Sequence, residues 1–216
     1  MIEAACFDLD GTLLVGRSAE RRLTSWLARR HELRAQSLAR SLARAATLPW
    51  RGTGHALRSN KLHLAGVSAP ALHVLAARFV ESILVPALNP RVLEEVARAR
   101  AAGARLFLLT GAPDVIAGAV SRHLSFDGHL GTRLEVREGR FTGELAGPHW
   151  FGPTKVRGVA QLAARWGFDP AHAWAFADHE ADVPFLSVFG RPVAVNPHPG
   201  LRRAAVQKGW EIIAGG

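Results

Sequence analysis

The sequence predicts an α/β fold, a parallel sheet covered by helices on both faces and carrying an inserted all-helical cap. Three observations carry that expectation. Short apolar runs of strand length recur along the chain as IEAACFDL, ARLFLLTG, AWAFAD and PVAVN. Helical patterns separate the later runs, and strands alternating with helices imply parallel pairing. Between about Ser18 and Val85 there is no strand pattern, so that stretch reads as an insertion after the first strand.

The elements follow in order. IEAACFDL is the first strand. The helical region after it is broken at LPWRGTG and at AGVSAP. Asn89 and Pro90 supply an N-cap and a first-turn proline for a helix that should stop at Gly103. ARLFLLTG is the second buried strand, followed by a helix near Pro113 to Leu124. A hairpin is expected from HLGTRLEV to RFTGEL, turning at Glu138-Gly139. A helix near Pro153 to Trp166, the strand AWAFAD, a helix from about Ala181, the strand PVAVN and a helix near Gly200 to Lys208 complete the chain. The expected division is a core of 1–14 and 89–216 and a helical cap of 15–88.

Composition sets limits. At 216 residues and 48% hydrophobic content, the chain can bury a sizeable core as one domain with an inserted lobe. The longest apolar stretches fall short of the roughly 18 residues a membrane span needs, and Asp8 arrives before a signal-type segment could form. The expectation is a cytoplasmic protein with no transmembrane segment. Cys6 is the sole cysteine, so it is expected in the core and excludes a disulfide framework. The net charge of +9 is uneven: eleven basic residues against two acidic ones lie between Val15 and Ala65. With 24 arginines and three lysines, part of that excess is a habit of composition. It reads first as a solvated helical face, with attraction of an anionic substrate as the rival reading. Weak membrane-surface contact is an alternative, and no nucleic acid is expected.

In an open parallel sheet, ligands bind beyond the carboxyl ends of the strands. Asp8 and Asp10 end the first strand, Thr110 and Gly111 the second, and Asp178 and Asp182 follow AWAFA, while Lys155 opens the preceding helix. Clustered carboxylates raise one another's pKa unless a cation joins them, and oxygen-only ligands suit Mg²⁺. A hard metal, a lysine, a hydroxyl and turn amides are what a transferring phosphoryl group requires. One aspartate of DLD can attack phosphorus while the other protonates the leaving oxygen and then activates water.

The segments DLDGTLL, LLTGA, Lys155 and AFADHEADVPFL resemble, in order and placement, the four motifs of the haloacid dehalogenase (HAD) superfamily. The helical insertion, the hairpin before Lys155 and the ending resemble its phosphoserine-phosphatase-like branch, subfamily IB. The resemblance implies a Rossmann-like, HAD-like core and a Mg²⁺-dependent phosphatase acting on a small phosphorylated substrate. It implies Asp8 as nucleophile, Asp10 as acid and base, and Thr110, Gly111 and Lys155 as phosphoryl-binding groups. Asp8, the Asp10 carbonyl and Asp178 would hold the metal, with Asp182 supporting.

Three features depart from that pattern. Ala177 stands where glycine is usual and Thr110 where serine is commoner. Gly11-Thr12 followed by Arg17 replaces Ser-Thr and a nearby acid, so phosphoserine is not the expected substrate. A phosphomutase or phosphotransferase on the same core, or a receiver-like phosphoacceptor module, are the alternatives. Arg17, Trp50, Arg58 and Lys61 are candidates for substrate selection. The ten histidines show no ligand spacing and are expected as surface or core residues, except His179 within the fourth motif.

Overall fold

The structure is a computed structural model that describes residues 2–33, 35–47 and 61–214. Its strands are β1 (Ala4–Phe7), β2 (Arg105–Pro113), β3 (Gly128–Thr132), β4 (Leu134–Arg137), β5 (Arg140–Leu145), β6 (Trp174–Ala177), β7 (Arg191–Val195) and β8 (Glu211–Ile213). Six of them form one all-parallel sheet in the order β3-β2-β1-β6-β7-β8. The order reverses beside β1, whose neighbours are β2 and β6, and that reversal is where an open sheet leaves a crevice.

The helices are α1 (Ala19–Arg29), α2 (Ala35–Thr47), α3 (Ala69–Phe79), α4 (Pro90–Ala101), α5 (Asp114–His123), α6 (Thr154–Trp166), α7 (Val183–Leu186) and α8 (Pro199–Lys208). Strand side chains alternate between two apolar layers. Ala5, Phe7, Leu106, Leu108, Phe176 and Val193 join the layer under α1, α3, α4 and α5. Cys6, Phe107, Leu109, Ala175 and Ala194 join the layer under α6, α7 and α8. Burial on both faces is why these strands read as continuous apolar runs rather than alternating ones. Cys6 is buried and unpaired, and burial pushes its thiol pKa up.

Asn89 caps α4 as its sequence implies, its side chain accepting from the Arg91 amide at 3.1 Å. One expectation is corrected, and one strand is additional to those expected. HLGTRLEV is not one hairpin arm: Gly128–Thr132 pairs parallel with β2, and only Leu134–Arg137 enters the hairpin with β5. The hairpin turn is at Glu138 and Gly139 as expected, both at positive φ (49° and 71°) as a two-residue turn of matching twist requires. The three-residue β8 at the sheet edge is too short to leave a period in the sequence.

The helical insertion is tied back to the hairpin by backbone bonds, Gly66 N to Phe141 O (2.8 Å), Phe141 N to Val67 O (3.0 Å) and Ala69 N to Gly139 O (2.9 Å). Its final stretch, Ala69–Ala87, is long and apolar enough by composition to cross a membrane. Here it lies on the sheet layer, where Leu72, Ala76, Phe79, Val80 and Leu84 are buried in the same apolar cluster as Phe7. A core helix meets the same compositional test.

Candidate active site

β1 delivers Asp8, whose backbone N–H donates to the Phe176 carbonyl at 3.0 Å and so locks it between β1 and β6. The chain then turns sharply, with Leu14 N bonded to Leu9 O at 2.8 Å and Gly11 N to Leu14 O at 3.0 Å. Gly11 has φ +83°, and a Cβ there would overlap the Asp178 carboxylate, so glycine is required both by conformation and by space.

Lys155, in the first turn of α6, is 1% exposed, and its Nζ bonds Asp8 Oδ1 at 2.8 Å and Asp182 Oδ2 at 2.7 Å. Carboxylate oxygens of Asp8, Asp178 and Asp182 lie within 4.8 Å of one another. Three buried acids thus surround one ammonium. Burial pushes the Asp8 carboxyl up to about 6, against the pull of Lys155. Burial and then the charge of Asp8 push Asp178 up to about 8. Burial alone would strip the Lys155 proton, but Asp182 and Asp8 hold its pKa above the ordinary lysine value. Among the described residues, Asp182 Oδ1 is buried with no hydrogen-bond partner. Three buried carboxyl groups beside one ammonium, with an orphaned oxygen on Asp182, fit a divalent cation with oxygen ligands.

Asp10 points elsewhere. Its Oδ1 accepts from the Ala19 amide at 2.6 Å, in the first turn of α1. Burial raises its pKa, the Ala19 bond opposes this, and Glu20 adds to it. Thr110, buried near the end of β2, accepts from the Ala112 amide at 3.1 Å. That bond leaves the threonine hydrogen available for an acceptor.

A cleft of about 1260 Å³ opens over these groups. It gathers Asp8, Asp10, Thr110, Gly111, Lys155, Asp178 and Asp182 from the sheet edge, and Arg17 and Lys61 from the insertion. Trp50 and Arg58 lie outside the described residues. Lys61 is not a free cation: it is buried and bonded to Glu20 Oε2, while His63 Nε2 stands 3.4 Å from Glu20 Oε1. Burial raises the Glu20 pKa despite Lys61, and burial followed by Lys61 pushes His63 down to about 4.

Sequence reasoning missed Glu20 and His63, and it read His149 and His198 as filler although both line the cleft. His198 was legible in part: it follows β7, whose carboxyl end opens on the same edge as those of β1 and β6.

A six-stranded parallel sheet with acids, a lysine and a threonine at the switch point defines a class, and the family comparison agrees with it. The chain belongs to the haloacid dehalogenase-like hydrolase family, whose model matches residues 5–187, and it is a phosphatase of that family. It is 32% identical over 222 aligned residues to a phosphoserine phosphatase of Mycobacterium tuberculosis, covering 97% of this chain and 70% of the relative. The crystal structure of a protein with unknown function from Bordetella pertussis Tohama I superposes with a TM-score of 0.81 at 28% identity, covering 99% of this chain and 98% of that one. A substrate-bound phosphoserine phosphatase complex shares the fold, with a TM-score of 0.64 at 18% identity over 99% of this chain and 93% of its own.

Proposed function

We propose that the protein is a Mg²⁺-dependent phosphomonoesterase that works through an aspartyl-phosphate at Asp8, on a small substrate other than phosphoserine. The observation that carries this reading is the buried trio Asp8, Asp178 and Asp182 around the single ammonium of Lys155. Asp8, the Asp10 carbonyl and Asp178 would hold Mg²⁺, which when bound neutralises charge on the phosphoryl oxygens. Lys155, Thr110 and the backbone at Gly111 bind the remaining phosphoryl oxygens.

An Asp8 oxygen attacks phosphorus and the bond to the leaving oxygen breaks. Asp10, whose raised pKa favours the protonated acid, gives its proton to that oxygen. In the second half-reaction Asp10 takes a proton from water as the water attacks phosphorus, and the acyl phosphate bond to Asp8 breaks. Asp182 is a positioning residue that holds Lys155. The insertion 15–88 acts as a cap over the core of 1–14 and 89–216, with α1, α2 and the Lys61–Leu64 turn above the leaving group.

The cap chemistry argues against phosphoserine. A zwitterionic leaving group needs an anion free to take its ammonium, and among the described residues the one acidic side chain of the insertion that lines the cleft, Glu20, is bonded to Lys61.

Asp8→Asn is expected to lower Mg²⁺-dependent phosphate release from p-nitrophenyl phosphate on the order of 10³-fold or more, with an unchanged circular dichroism spectrum. Turnover retained in that variant would sink the mechanism.

A further inference from the structure

Along the core side of the cleft, four aromatic rings follow one another. His149 stacks on Phe151 with centroids 5.9 Å apart and planes at 20°. Phe151 meets His179 at 5.8 Å and 57°, and His179 meets His198 at 4.9 Å and 49°. All four line the cleft. The row starts at the phosphoryl-binding backbone, where His149 Nε2 would stand 2.9 Å from a Cβ on Gly111. It ends beside the carboxylates, where His198 Nε2 lies 3.8 Å from Asp178 Oδ2.

Core packing accounts for His149, which is buried, and not for the other three rings, which are half-buried or exposed. Trp150, one residue earlier, is 5% exposed and sits in the apolar layer with Leu109 and Val159. Among the described residues Phe151 belongs to neither apolar layer, and it lines the cleft. Helices α1 and α2 also line the cleft, with Glu20, Arg21, Thr24, Ser25, Ser41 and Leu42.

We infer that this aromatic wall is a leaving-group subsite for a planar aromatic ring, so that the preferred substrate is a phosphomonoester whose alcohol carries a nucleobase or an aryl group. The inference rests on the reading of the cleft as a phosphomonoesterase site. Offset and edge-to-face ring contacts favour an aromatic leaving group over an aliphatic one of the same ester chemistry, by roughly tenfold for one ring.

Matched pairs isolate the ring. Adenosine 5′-monophosphate is compared with ribose 5-phosphate, and 2-phenylethyl phosphate with ethyl phosphate; each pair shares a primary phosphate ester and differs in the ring. The first pair reads a nucleobase and the second a simple aryl group. At least one pair is expected to show a ratio of kcat/KM near tenfold or above. That ratio should collapse toward one in Phe151→Leu and persist in Phe151→Tyr. The same pairs are titrated by calorimetry against the Asp8→Asn protein with Mg²⁺, so that the ring is read without turnover. Binding that favours the ring, together with a wild-type protein that releases phosphate from neither pair nor from p-nitrophenyl phosphate, would overturn the phosphatase reading and leave the subsite standing. Ratios near one for both pairs, in turnover and in binding, would overturn the subsite, as would a Phe151→Leu protein that keeps the wild-type ratio.

Discussion

The balance of charge around Asp8 makes a residue-scale expectation about pH. In the metal-free protein, Asp8 at about 6 and Asp178 at about 8 hold protons that the unfolded chain, near its ordinary value of 3.8, has already released. Where the native state binds more protons than the unfolded one, stability falls as pH rises. These two groups therefore weaken the fold progressively as pH climbs through about 6 and about 8. A divalent cation takes the place of the protons, so added Mg²⁺ should raise Tm more at pH 8.5 than at pH 5, by a margin on the order of 5 °C. Thermal melts with EDTA and with excess Mg²⁺ at both pH values measure this, and an equal Mg²⁺ shift at the two would refute it. DLD, Thr110, Lys155, Asp178 and Asp182 were legible in the sequence because backbone spacing and the strand-end rule bring them together. The pairing of Lys61 with Glu20 was not, since those residues are 41 positions apart and a helical period in the sequence leaves open which faces meet.

At the scale of elements, the first turn of α1 links the insertion to the chemistry. Ser18 caps α1 by accepting from the Arg21 amide at 3.3 Å, and the next amide, Ala19, holds Asp10 Oδ1. Removing the cap in Ser18→Ala costs about 1 kcal/mol of helix stability and loosens the turn that orients Asp10. Alkyl phosphates, which need their leaving oxygen protonated, should then lose kcat several-fold more than p-nitrophenyl phosphate, whose leaving group needs little help. Ser18→Asp, which keeps an acceptor at the cap, should restore the alkyl rate. Equal losses on both substrates would mean that the turn serves stability alone. The Asn89-Pro90 start of α4 and the continuous apolar runs of β1, β2, β6 and β7 were readable because caps and doubly buried strands have local signatures. The parting of β3 from β4 was not, because only the pairing of His129, Leu130 and Thr132 with Leu108, Leu109 and Pro113 in the main sheet decides where HLGTRLEV divides.

Across the whole molecule, the excess of nine positive charges is concentrated in the insertion, and the fold decides which of them matter. Arg22 is turned inward onto the Val15 and Arg17 carbonyls, and Arg30 lies over the Trp26 ring. Arg17 and Arg21 are exposed at the cleft. A dianionic ester approaching that mouth gains association rate from a field that ions screen beyond about 8–10 Å. Lys155, buried and bonded to two carboxylates, acts at contact distance and is screened far less. Raising ionic strength from about 0.02 to about 0.3 M should therefore lower kcat/KM several-fold while kcat changes little. The double substitution Arg17→Gln and Arg21→Gln should flatten that dependence without moving the Mg²⁺ requirement. If kcat/KM is level with salt, or the double variant keeps the wild-type slope, the cap charge is a solvated face and substrate reaches Asp8 by unassisted diffusion.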